Sequence, residues 1–229
     1  MRFKEIVLRT ISKVLHIGFE SFSKILPSRG RIFMIHDIGE DDNEFVITPS
    51  HFESFLIKHK NDNFIRLENI DESINFIALT IDDVPEGFYK YGFPLLKKYS
   101  IPFTIFVNTS LLNAPGYITD EMLAEMAECE LSTIGSHGLS HSFFKDLSVS
   151  EARTYFSKSK VLLEDLCKKE VRLFAFPYGS FYACGFFNKH LLREYYTHGY
   201  GTVSTTVTSP SILPKYFLPR INLTKHYSI

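Results

Sequence analysis

The chain has 229 residues, of which 45% are hydrophobic, 22% charged and 15% aromatic, a globular mix that excludes a disordered or low-complexity polypeptide. Lys and Arg number 25 against 26 Asp and Glu, a formal charge of −1, so no basic excess supports a nucleic-acid or other polyanionic partner. Cys129, Cys167 and Cys184 fall in no zinc-finger or disulfide-framework spacing and fit a reducing compartment.

Residues 3–26 have helical periodicity, with Ile6, Ile11, Val14, Phe19 and Phe22 among the apolar positions. This N-terminal helix is expected to pack on the domain. The alternative is a basic amphipathic helix in peripheral contact with a membrane. Arg9 and Lys13 interrupt the stretch and no small-residue cleavage site follows, so it is not read as a secretory signal. The expected location is cytoplasmic, with membrane association through 3–26 left open. Pro27, Ser28 and Gly30 end the segment, which divides the chain into a helix over 1–30 and one domain over 31–229.

A strand is predicted over 31–36, a loop over 39–44 and a helix over 48–60 with Thr48 as its cap. Strand and helix then alternate: strands over 74–81, 101–107, 131–135, 171–176 and 200–207, helices over 86–100, 119–129, 148–168 and 188–198. Ser148 with Glu151 three residues on forms a capping box. Repeated strand–helix units predict an α/β fold with a parallel sheet and helices outside.

Chemistry in such folds gathers at the C-terminal strand ends. Those ends read His36-Asp37, Asp82-Asp83, Ser136-His137-Gly-Leu-Ser-His141 and Pro177-Tyr178-Gly179. Taken singly, they are ordinary helix caps and loop histidines. Together, one carboxylate and two histidines four apart make a facial set that leaves metal positions open for water and substrate. The second carboxylate is then free to act as a base.

Thr80-Ile-Asp82-Asp83, Ser136-His137-x3-His141 and Phe176-Pro-Tyr178-Gly179, in that order, resemble the first three motifs of the polysaccharide deacetylases (NodB-homology domain, carbohydrate esterase family four). The resemblance implies a distorted (β/α) barrel of about seven strands, here with an N-terminal helix added. It implies Asp83, His137 and His141 as ligands of a divalent metal, most naturally zinc, with cobalt, nickel or iron as alternatives. Asp82 would be the base, and the Tyr178 N–H would serve the oxyanion. No histidine lies in the C-terminal segment 213–224, where the family's general acid normally sits. A permuted subgroup, resembling the poly-N-acetylglucosamine deacetylases, places it on an N-terminal strand instead. Phe33-Met-Ile-His36 is similar to that strand, which assigns the acid to His36, with Asp37 or another carboxylate to hold it protonated.

Four departures stand out. Val84 replaces the glycine of Asp-Asp-Gly, and Gly138 stands where a hydroxyl residue is usual. The arginine that usually holds the base is missing from motif three, and Arg220 is the candidate substitute. The chain has no Trp, so Phe and Tyr must wall the acetyl methyl. The expected function is metal-dependent removal of an N-acetyl group from an acetamido sugar or oligosaccharide in a surface-polysaccharide (O-antigen, capsule or similar) pathway. Hydrolysis of another C–N or ester bond, and a non-catalytic carbohydrate- or metal-binding module, are the alternatives.

Overall fold

The computed structural model describes residues 2–41, 43–185, 188–209, 211 and 213–227. Met1 and Asp42, in the predicted N-terminal stretch and acidic loop, lie outside them. In chain order the elements are α1 (Arg2–Ser23), β1 (Ser28–Ile35), β2 (Asp37–Ile38), β3 (Val46–Ile47), α2 (Pro49–Lys58), β4 (Asn63–Phe64) and β5 (Phe76–Asp82). There follow α3 (Phe93–Lys98), β6 (Phe103–Val107), α4 (Asp120–Glu128), β7 (Ser132–Ser136), α5 (Val149–Cys167) and β8 (Leu173–Ala175). The last are α6 (Phe181–Cys184), β9 (His198–Tyr200), β10 (Val207–Thr208) and β11 (Ile221–Asn222).

Strands β1, β5, β6, β7, β8 and β9 pair side by side in parallel. The 218–222 segment closes the circuit. Leu218 bridges Tyr200 on one side, and Ile221–Asn222 pairs in parallel with Phe33–Met34 on the other. The result is a distorted (β/α) barrel whose seam consists of one bridge and a two-residue strand. Short β4 pairs with β5 and antiparallel β10 with the start of β1.

Period-two alternation sorts the strand residues into two cores. Ile32, Ala78, Phe106, Ala175 and Tyr200 fill the barrel interior, while Phe33, Leu79, Ile105, Ile134 and Phe174 pack outward under the helices. Gly135 lets the Phe106 ring lie against the β7 backbone, where a Cβ would meet it at 2.5 Å. Thr48 and Thr119 cap α2 and α4 with their hydroxyls, and the Ser148–Glu151 box opens α5.

Helix α1 lies against α6. The Ser12 hydroxyl accepts the Tyr182 N–H at 3.0 Å, the Tyr182 hydroxyl donates to Glu5 at 2.8 Å, and the Phe19 ring sits 5.4 Å from that of Phe181. The Ser23 hydroxyl is bonded to that of Thr205.

Three predicted elements differ. The helix expected over 86–100 begins as a π-turn, Phe88–Gly92, before α3. Pro94 has no N–H and its ring crowds the Lys90 carbonyl, so the turn widens to five residues. The segment expected as a helix over 188–198 is a 3₁₀ turn, Asn188–Glu194, and β9 already starts at His198. Tyr195, Tyr196 and Thr197 disfavour helix, and the Thr197 N–H pairs with the Arg172 carbonyl at 2.8 Å. The strand expected over 200–207 stops at Tyr200 because the chain turns across the barrel mouth at Gly201, which packs on the Phe217 ring and the Gly179 carbonyl.

Candidate active site

Asp82 ends β5, His36 follows β1, Asn108 follows β6, His137 follows β7 and Tyr178 lies just past β8. All open on one end of the barrel. All but Asn108 bound a cavity of about 400 Å³ together with Asp83, His141, Met34, Phe45, Phe176, Thr202 and Asn222. The wall contains Phe45, Phe176 and Tyr178 and no indole.

Asp82 is buried and its two oxygens are held by Arg220 Nη1 and Nη2 at 2.6 and 2.7 Å. Arg220 is fully buried, donates through Nε to the Gly201 carbonyl at 3.0 Å, and lies over the Phe106 ring. Thr80, two residues before Asp82 and so on the same face of β5, accepts from Arg220 at 3.2 Å and donates to the Phe33 carbonyl at 2.9 Å. Burial alone would raise the Asp82 carboxyl, but the Arg220 charge and hydrogen bonds outweigh it and hold the group below the usual carboxylate value.

Asp83 and Val84 both have left-handed backbones, with φ of 59° and 55°. For a buried β-branched residue this conformation is strained by roughly 1–3 kcal/mol. The Asp83 N–H bonded to Phe106 O at 3.1 Å and the Val84 N–H bonded to Asp82 O at 2.7 Å hold it in place. The turn brings the Asp83 carboxylate to the same pocket as Asp82, and Asn108 donates to it at 3.1 Å.

Asp83, His137 and His141 each present one ligand atom, and these atoms lie within 4.8 Å of one another. His141 Nε2 is 4.0 Å from Asp83 Oδ2. His137 Nδ1–H donates to the Ala175 carbonyl at 2.9 Å, which fixes the tautomer and leaves Nε2 with its lone pair toward the pocket. Burial holds His137 below its ordinary pKa, so the ring is neutral, as metal ligation requires. One carboxylate and two imidazoles, one of them oriented by a carbonyl, suit a divalent ion of the zinc type.

The loop carrying both histidines turns at Gly138, φ 88°, where a Cβ would stand 2.1 Å from the Tyr155 ring. The Tyr155 hydroxyl accepts the Ser140 N–H at 2.8 Å, and the Ser136 hydroxyl accepts the Gly138 N–H at 3.0 Å. These two hydroxyls do the steadying that a Ser or Thr at 138 would otherwise do.

His36 lines the cavity, with Nδ1 buried and unbonded among the described residues. Burial lowers its pKa, opposed by the Asp82 charge. The expected partner Asp37 is not on His36. Its carboxylate accepts the backbone N–H of Ile38 at 2.7 Å and that of Phe88, as the start of the π-turn demands. Tyr178 is left-handed, φ 59°, and is followed by left-handed Gly179, φ 53°. Its ring stacks flat on Phe143 at 4.0 Å and meets His141 edge-on at 4.1 Å. His226 is exposed and lies outside the cavity lining.

Asn108, Thr80 and Tyr155 were absent from the sequence-based set of site residues. Thr80 carries a readable signal, its period-two spacing from Asp82, and Asn108 stands at the end of an apolar strand. Tyr155 carries none, since on α5 it reads as a core position.

The chain is similar to known proteins. The chain is 23% identical over 190 residues to the Bacillus subtilis protein YxkH, covering 79% of this chain and 65% of that one. It is 32% identical over 116 residues to the poly-beta-1,6-N-acetyl-D-glucosamine N-deacetylase of Staphylococcus epidermidis, covering 45% of this chain and 40% of the relative. The chain thus spans about two thirds and two fifths of those relatives. In fold it is similar to the deacetylase PplD of Streptococcus pyogenes, with a TM-score of 0.78 at 22% identity over 88% of this chain and 95% of that one. IcaB of Ammonifex degensii gives 0.73 at 19% identity over 87% and 93%. The polysaccharide deacetylase model matches residues 69–203, which run from before β5 to beyond β9 and carry Asp82, Asp83, both metal-candidate histidines and Tyr178. The chain belongs to the polysaccharide deacetylase family.

Proposed function

We propose that the protein is a metal-dependent hydrolase that removes the N-acetyl group from an acetamido sugar of a surface polysaccharide or its precursor. The observation that carries this reading is the division of labour between adjacent aspartates. Asp82 is held by Arg220 inside the barrel, while Asp83 faces His137 and His141.

Asp83, His137 and His141 would hold the ion. Once bound, a divalent metal there would polarise the acetamide carbonyl and acidify water at its open positions. Asp82, kept ionised by Arg220, accepts the proton of the attacking water. The Tyr178 N–H, in its left-handed turn, donates to the developing oxyanion. His36, across the pocket, delivers a proton to the leaving nitrogen. In the resting site His36 is neutral, so it must acquire that proton during turnover, and Asp82 is the acid formed nearby. Phe45, Phe176 and Tyr178 supply an apolar wall for the acetyl methyl.

Zinc is the preferred ion, with cobalt, nickel or iron as substitutes. The three cysteines are all free, which fits action in the cytoplasm on a nucleotide-linked, lipid-linked or otherwise unfinished saccharide. The test is release of primary amine and acetate from acetylated sugars, with chelator and with each metal restored in turn. Turnover that survives chelation, or none with any metal, would overturn the reading.

A further inference from the structure

Helix α1 presents a face that no other described residue covers. Ser12, Phe19 and Ser23 turn toward the barrel, while Val7, Ile11, Val14, Ile17 and Phe22 stand exposed along the opposite side, Val14 by 63% and Ile17 by 61%. The stripe runs from Ile6 to Phe22, about 24 Å at 1.5 Å per residue. Exposed Lys13, Arg9 and Lys24 border it. The acidic groups are already engaged, Glu5 by Arg9 and Tyr182, and Glu20 by His16.

We infer that α1 docks the protein, apolar face down, on the anionic surface of a lipid bilayer. Three features select this partner. Lys13 and Lys24 lie along one edge of the stripe, where they would meet anionic headgroups while the apolar residues enter the acyl boundary. A second copy of the chain fits less well as a coiled-coil partner: Gly18 sits mid-stripe with open space where its Cβ would be and offers no knob there. Ile6 and Ile17 also widen the apolar arc beyond a coiled-coil seam. The helix is not long and apolar enough to cross the membrane, so it lies on it.

The docked helix adjoins the active site. Phe143, stacked on Tyr178 at the pocket rim, also lines a groove of about 540 Å³ against Ile6, Arg9, Lys13 and Tyr182. A bilayer under α1 therefore lies beside a groove whose Phe143 stacks on Tyr178 of the pocket wall, which suits a saccharide held on a lipid carrier. That choice of substrate rests on the deacetylase reading; the docking does not.

Co-sedimentation of the full chain with vesicles separates the two. Wild type should pellet with mixed phosphatidylcholine–phosphatidylglycerol vesicles and much less with phosphatidylcholine alone. Val14→Glu and Ile17→Glu should each weaken partition at least about tenfold. Both positions face solvent, so melting temperature and turnover of a soluble acetamido-oligosaccharide should stay at the wild-type level. No pelleting with anionic vesicles, equal pelleting of the Glu variants, or a wild-type dimer that Val14→Glu dissolves would overturn the proposal. Loss of soluble turnover in wild type would instead strike the deacetylase reading and leave the docking result standing.

Discussion

Arg220 reaches both oxygens of Asp82, at 2.6 and 2.7 Å, from a segment 138 residues downstream, in a barrel interior closed to solvent. One guanidinium thereby links the seam of the barrel to the carboxylate proposed as the base. Arg220→Met should cost about 3–5 kcal/mol, because it leaves a buried carboxylate without its counter-charge. Chemical unfolding measures this. If the variant folds, burial then acts on Asp82 against only the pull of His137 and His36 and raises its pKa, so the acid limb of kcat/KM should move to higher pH. An unmoved limb would mean that Arg220 only braces the fold. Asp82→Asn should keep the metal and lose about 10²–10⁴-fold in turnover.

Period-two strands ending in Asp, His and Tyr made most of this pocket legible, because alternation places Thr80 with Asp82 and carries the same face through to the strand tip. Arg220 was readable only as a cation in the right segment; its partner is set by how 218–222 closes the barrel. The 188–198 region was misread because apolar spacing near 3.6 survives in a 3₁₀ turn, while the Thr197–Arg172 pairing that starts β9 is tertiary. Of Asp37 or another carboxylate as the support of His36, the charges that act on the ring are those of Asp82 and Asp83, not that of Asp37. Adjacency to His36 suggested a contact, but alternation turns it away and backbone N–H groups take its carboxylate.

His137→Ala and His141→Ala should each strongly reduce bound metal, measured by elemental analysis after dialysis. His137 should cost more, since it is buried and already oriented by Ala175, whereas His141 is half-exposed. Wild-type metal content in both would remove the site.

His36→Ala should bind metal normally and lose turnover on an acetamide far more than on an activated ester, whose leaving group needs no proton. The unbonded, buried Nδ1 means that little structural support goes with the ring. Equal loss on both substrates would make His36 a binding group and return the acid to another residue.

His198 lies at the opposite end of the barrel from the pocket, beside Asp71 and near Lys215. Burial chiefly, then Lys215, lowers its pKa from the ordinary 6.5, against the opposing pull of Asp71. The folded chain therefore binds fewer protons than the unfolded chain between the lowered value and 6.5, so stability falls as pH drops below 6.5. His198→Gln, which keeps a donor toward Asp71, should flatten the decline in melting temperature between pH 7.5 and 5.5. A slope as steep as wild type would assign the loss to His36 and His137.

Tyr155 offers the test that separates loop support from catalysis. Its hydroxyl takes the Ser140 N–H at 2.8 Å and also lies within reach of the Ser142 N–H, on either side of His141, and its ring fills the space above Gly138. Tyr155→Phe keeps the ring and removes only the hydroxyl, leaving the Ser140 and Ser142 N–H groups without that acceptor. The His141 imidazole should then wander, and metal affinity should fall about 10–100-fold, as when outer supports of other metal sites are removed. Turnover at saturating metal should be nearly restored, because no reacting group has changed. Titration calorimetry gives the affinity and metal-saturated assays give the rate. A variant with full affinity would show that Ser136 alone holds the loop, and one that stays inactive at saturating metal would place the hydroxyl in the reaction itself.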